Sequence, residues 1–200
     1  MVSGMVALMM DVNPSLTPAE IECIIKMTAS RNVFNAPEGN FAKTFDVEAA
    51  VIGAQNWPNL DKGEELVLSE DEFIFENLDV SGDIRITTGT NVLISSKISM
   101  LHPKANIIVE NGARLTLSGA VVDATSCSSE WRGFIVEGNS NKEQPDPFGA
   151  IAEDDAGVLL LIDNDINNAR NAVSTFAHYR GSESLSYSEG PLTAGLLSSV

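Results

Sequence analysis

Two stretches of the chain repeat each other. "DIRITTGTNVLISSKISM" (83–100) and "NIIVENGARLTLSGAVVD" (106–123) superpose at an offset of 23 residues. Ile84 then meets Ile107, Ile86 meets Val109, and Gly89 meets Gly112. Val92 meets Leu115, Ile94 meets Leu117, and Ile98 meets Val121. Within each copy the apolar residues alternate with polar ones, the period of a strand with one buried face. A short-strand unit of this length cannot bury its apolar face alone, so copies must stack. "RGFIVEGN" (132–139) is expected to open a third copy and "GVLLLIDNDINNARNAV" (157–173) a fourth, with a looser stretch between them.

Leucine-rich repeats share this length, but their Leu/Asn pattern is absent. The expectation is a right-handed parallel β-helix with two or three strands per turn. Asn and Gly at the corners suit it, because both tolerate left-handed backbone angles. Residues 57–82 read as linker and first strands, and 83–200 as the solenoid. Solenoids need polar capping repeats, and none is evident before Val200, so the solenoid is expected to be cut short there.

Before Trp57 the period is helical. "MVSGMVALMM" (1–10) is apolar all round the helix wheel, with Ser3, Gly4 and Ala7 on one narrow face. That pattern predicts a buried helix, ended by Pro14. Thr17-Pro18-Ala19-Glu20 has the form of a capping box, with Thr17 at the N-cap and Pro18 at the first helical position. Ile21, Ile24, Ile25 and Thr28 form the stripe of this second helix. Glu22 and Lys26 make a favourable pair one turn apart. Its end is predicted near Ala29 to Asn32, and a third helix near Val47 to Ala54.

Lys and Arg number 12 against 28 Asp and Glu, a net charge of −16. Phosphate binding is driven by basic patches, so nucleic acid is not an expected partner. A 44% hydrophobic content is too high for a disordered chain. The first ten residues fall well short of the roughly 20 apolar residues that a bilayer requires. With no basic residue before them and no small-residue cleavage site after, they make a poor secretion signal. Cys23 and Cys127, far apart and outside any Cys-x-x-Cys, are expected to be free or buried.

"NPSLTPAE" (13–20) resembles the phrase Asn-Pro-x-Leu-Thr-Pro-x-Glu near the C-terminal end of subtilisin-like serine protease domains. "FDVEAAVIGA" (45–54) is similar to the closing helix of that family, while "PEGNFAKT" (37–44) matches the preceding Gly-rich turn less well. The resemblance covers about the first 55 residues. It implies that residues 1–56 are the last helices of an α/β protease domain. It also implies that Met1 falls just past the family's Ser-x-x-x-Pro, leaving the nucleophile upstream and this chain inactive. "WRGFIVEGN" (131–139) and "IDNDINNARNAVST" (162–175) resemble β-helix appendages of large secreted bacterial proteins. The resemblance thus implies an extracellular or cell-surface location and a peptide substrate for the parent protease. A glycan or cell-surface ligand for the β-helix is the alternative, and a carbohydrate-active β-helix a third.

No catalytic, cofactor-binding or metal-binding residue is assigned. Ser3 lies beyond the nucleophile motif. "DNDINN" (163–168) fails the calcium-loop pattern, because Asn168 and Ser174 stand where Gly and Glu are needed; its residues read as turn carboxylates and an Asn ladder. Glu153, Asp154 and Asp155 read as a solvated loop rather than a carboxylate pair across a cleft. His102 reads as a corner residue at the surface or capping a turn. Trp131 is expected to pack over a rung. His178-Tyr179-Arg180 is given no role, and "SESLSYSEGPLTAG" (182–195) reads as a polar loop or linker.

Overall fold

A computed structural model describes residues 2–29, 45–125, 127–139, 141–142, 145–177 and 195–198. The expectations at 37–44, 178–180 and 182–194 lie outside the described residues.

Three helices come first: α1 (Val2–Val12), α2 (Pro18–Thr28) and α3 (Val47–Asn56). The capping box at Thr17 forms as the sequence predicts. Thr17 N–H donates to Glu20 Oε2 at 2.7 Å, and Glu20 N–H donates to Thr17 Oγ1 at 3.3 Å. Two orphan donors at the helix start are thereby satisfied. Glu22 and Lys26 pair at 2.8 Å. Asp46 caps α3, accepting from Ala49 N–H at 2.9 Å. Met5, Met9, Leu16, Ile21, Ile24, Ala50 and Ala54 form the core of this unit.

The expectation of a helix buried all round fails for α1. Met5 and Met9 are buried, but Ser3, Gly4, Ala7 and Leu8 are exposed. The reason is supply: among the described residues α3 is the main neighbour of α1, and one helix covers only one stripe. Ser3, Gly4 and Ala7 do not admit a second backbone, and a Cβ at Gly4 would meet nothing within 4 Å. Close approach occurs instead at Gly53, where a Cβ would lie 2.9 Å from Ile24 Cγ2.

Strands follow in tiers. The first tier holds β1 (Leu66–Leu68), β2 (Glu72–Ile74) and β3 (Leu78–Val80). The second holds β4 (Ile84–Ile86), β5 (Asn91–Ile94) and β6 (Lys97–Met100). The third holds β7 (Asn106–Val109), β8 (Arg114–Ser118) and β9 (Val121–Ala124). The fourth holds β10 (Gly133–Gly138), β11 (Val158–Ile162) and β12 (Asp165–Ile166). β13 (Val173–Ala177) and β14 (Gly195–Ser198) begin a fifth. Each tier adds one parallel strand to each sheet, giving the orders β1-β4-β7-β10-β13, β2-β5-β8-β11-β14 and β3-β6-β9-β12. Three parallel sheets stacked this way are consistent with a solenoid. Alternate side chains point inward, and Ile84, Ile86, Val92, Ile94, Ile107, Val109, Leu115 and Leu117 are wholly or nearly wholly buried.

Five of the six repeat matches are contacts between the second and third tiers. Ile84, Ile86, Val92 and Ile94 pair with the expected residues, and Gly89 N–H donates to Gly112 O at 3.1 Å. The sixth is off by one: Ile98 pairs with Val122, not Val121. The third tier has one residue more at that corner, where Gly119 takes a φ of 64°, a backbone angle that Gly adopts without a Cβ penalty. Val121-Val122 offers an apolar partner in either register, which is why the sequence alone misplaced it. The stretches expected as third and fourth copies are parts of one tier, since β10 pairs with β7 and β11 with β8. A long loop separates them.

Candidate functional site

The helices and the stack meet at a joint built from residues far apart in sequence. Cys23 of α2 and Cys127, just past β9, form a disulfide with a Cα separation of 5.3 Å. This corrects the expectation of free or buried cysteines. The 104-residue separation hides the pairing, because it depends on how the helices sit against the third tier. Nearby, His102 is buried, not at the surface. Its Nδ1 accepts from Lys104 N–H at 3.1 Å, so Nε2 carries the proton and donates to Leu60 O at 3.0 Å. Both ring nitrogens are thus occupied in fastening the corner after β6 to the segment after α3. Gly63 N–H donates to Ser81 O at 3.1 Å beside them.

The loop between β10 and β11 carries the acidic trio. Lys142 forms ion pairs with Asp154 and Asp155. Asp155 Oδ2 also accepts from Ala152 N–H at 2.8 Å, and Gly112 N–H donates to Asp155 O at 2.8 Å. The hydrogen bond from Lys142 lowers the Asp154 pKa, and the same bond raises that of Lys142. The carboxylates tie the loop to itself, and the Asp155 backbone carbonyl fastens it to the third tier. A general acid needs its pKa raised, the opposite of what Lys142 does to Asp154.

Asn164 and Asn168 bond to the third tier, though to backbone groups and an aspartate rather than to other asparagines. Asn164 Oδ1 accepts from Ala120 N–H at 2.8 Å, and its Nδ2 donates to Leu117 O at 3.0 Å. Asn168, at a φ of 55°, donates to Asp123 Oδ1 at 2.8 Å. Trp131 packs inside the stack, fully buried and edge-on to Phe134 at 5.3 Å between ring centroids. Its Nε1–H donates to Asn167 O at 2.9 Å, so the ring is not a surface on which a sugar could stack. Among the described residues no group of three or more His, Cys, Asp or Glu is placed to hold a metal ion. None of the described helices is long and apolar enough to cross a membrane.

The first strands expected within 57–82 are present as β1 to β3, but the sequence reading did not say which of their side chains face inward. In "EDEFIFEN" (70–77) Ile74 turns inward, while Phe73 and Phe75 are 72% and 68% exposed. Ile74 O accepts from Ser95 N–H at 2.9 Å. In a parallel ladder a residue directs both backbone groups to the same side, so Glu72 and Ile74 face β5. Phe73 directs both of its groups to the opposite side, where the sheet ends at β2, and the N–H of Phe75, just past the strand and across the peptide from Ile74 O, points there too. The signal was present: three consecutive apolar residues in a two-residue period force either the middle one or the outer two to face solvent.

Comparison of the chain with protein-family models, curated proteins and solved structures found no match.

Proposed function

We propose that the chain is the C-terminal part of a secreted subtilisin-like serine endopeptidase, in which a right-handed parallel β-helix follows the closing helices of the protease domain. The chain's own role is then non-catalytic: it presents the acidic flank of a solenoid, tied to the protease helices by Cys23–Cys127. The observation that carries this reading is the phrase Asn13 to Glu20, in which Asn13, Leu16, Thr17 and Glu20 have structural work. Asn13 Nδ2 donates to Ala54 O at 3.0 Å, joining the end of α1 to α3. Leu16 enters the helical core. Thr17 and Glu20 make the capping box, and Glu20 Oε1 also accepts from Trp57 Nε1–H at 2.9 Å. A phrase that knots three helices together is what a domain's closing segment requires. The β-helix part is supported by the one-strand-per-tier sheet orders; its hand follows from the right-handed preference of parallel crossovers. A disulfide is compatible with an oxidising extracellular location.

The decisive observation is the coding DNA upstream of Met1: an in-frame Gly-Thr-Ser followed by Pro is expected, and a stop codon there overturns the reading. In parallel, the purified chain is expected to leave casein intact. Casein cleavage blocked by a serine-directed reagent would show that the chain is itself an enzyme.

A further inference from the structure

We propose that the free edge of β2 takes an extended, basic segment of a partner protein, which joins the second sheet as one more strand. This interaction does not depend on the protease reading.

Three observations converge on β2. The first is the backbone: the N–H and C=O groups of Phe73 and the N–H of Phe75, across the peptide from Ile74 O, point out of the sheet, and no described strand pairs with them. Unpaired edges of this kind accept an added strand, with main-chain bonds supplying affinity and alternate side chains supplying specificity. The second is the aromatic pair. Phe73 stands in register with Leu93 of β5, so an apolar side chain on the incoming strand would have a cross-strand partner on the same face. The other two first-tier strands lack this pairing of features. β1 presents outward Val67 alone, and β3 presents Asp79, whose charge acts on Lys26 of α2.

The third observation is charge, and it selects the occupant. Between positions 61 and 80 stand eight carboxylates and a single lysine, Lys62. Lys62 is taken by Asp83, and Glu65 by Arg85. Asp71 accepts from Asn91 N–H at 2.7 Å. Glu70, Glu72 and Glu76, which bracket the two phenylalanines, have no cation partner among the described residues. Charges on an edge strand protect it against its own kind: a second copy would set these carboxylates against their equivalents. The same charges favour lysines and arginines, which would speed association and fix its register. An alternating apolar and basic strand satisfies the backbone, the aromatic pair and the carboxylates together.

The test uses the full chain and a fluorescein-labelled peptide of alternating lysine and valine, with a glutamate and valine peptide as control. Anisotropy with the basic peptide is expected to rise saturably below about 100 µM, a strength ordinary for strand addition by a short segment. Binding should weaken as ionic strength rises, and amide exchange at Phe73 and Phe75 should slow. The double variant Phe73→Ser, Phe75→Ser removes only side chains that face solvent and should bind about tenfold more weakly. Phe75→Pro removes an outward N–H, a change edges tolerate, and should abolish binding. Equal binding of the acidic peptide, binding unchanged in both variants, or no binding overturns the proposal. A dimer of the free chain that the double variant dissolves also overturns it and gives the edge to a second copy.

Discussion

In the helical unit seven buried side chains from three helices and one turn make the described core, whereas twenty-three make that of the stack. The helices are specified locally, by Thr17 and Glu20 at one end of α2 and Asp46 at the start of α3. Such caps decide where a helix begins, yet most helical stability comes from burying a face. α1 leaves Val2, Leu8 and Met10 between 43% and 51% exposed. The stack has little local instruction beyond its corners, but each inward side chain meets the tiers above and below. The first region is well addressed and thinly packed; the second is the reverse.

That contrast can be broken at its strongest point. Phe134 is buried at the centre of the fourth tier beside Trp131. Phe134→Ala should cost about 3–5 kcal/mol, read by urea denaturation, with α2 retaining its helical signal until the stack is lost. A next-larger effect is expected at the joint. Replacing Cys23 and Cys127 together with Ala should cost about 2–4 kcal/mol through loss of a long closed loop. It should also split one unfolding transition into two, with the helices melting first. A single transition after that change would mean that the two regions cooperate without the bridge. Thr17→Ala should cost about 1 kcal/mol, shown by faster amide exchange in the first turn of α2 and unchanged exchange in the stack.

The smallest effect is pH dependence at the same cap. Hydrogen bonds from Thr17 N–H, Thr17 Oγ1–H and Trp57 lower the Glu20 pKa below 4.5. A depressed folded value means that the stabilisation is complete above the unfolded value and is lost as pH falls through the folded one. The helical transition should therefore weaken in acid below about pH 4.5. Glu20→Gln, which still caps, should flatten that part of the profile; an unchanged slope would assign it to other carboxylates.

Legibility followed the range of each interaction. The capping box, the Glu22–Lys26 pair and three helices were readable because partners lie within four residues. The tier spacing was readable from Ile84 to Leu117 because both copies keep the same strand-to-strand intervals. It blurred at Val121-Val122, where either register buries a valine. The first tier was expected within 57–82 but does not join the 23-residue superposition, because its intervals to the second are shorter, with Leu66 opposite Ile84 and Leu78 opposite Ile98. Nothing in the local sequence of Cys23, Leu60 or His102 names its partner, because those contacts exist only once the helices sit against the stack. Phe73 and Phe75 look like core residues by composition, and only the inward turn of Ile74 puts them outside.

The long excursion between Gly138 and Val158 has a practical consequence. β10 and β11 keep register with the third tier on both sides of it, so the length of chain spent at that corner is nearly independent of the architecture around it. Closing a longer excursion costs little, about 0.6 kcal/mol for each doubling. This corner is therefore a graft point: a tag, a reporter or a foreign epitope could be spliced there and carried on the flank of the stack while the rungs above and below stay aligned.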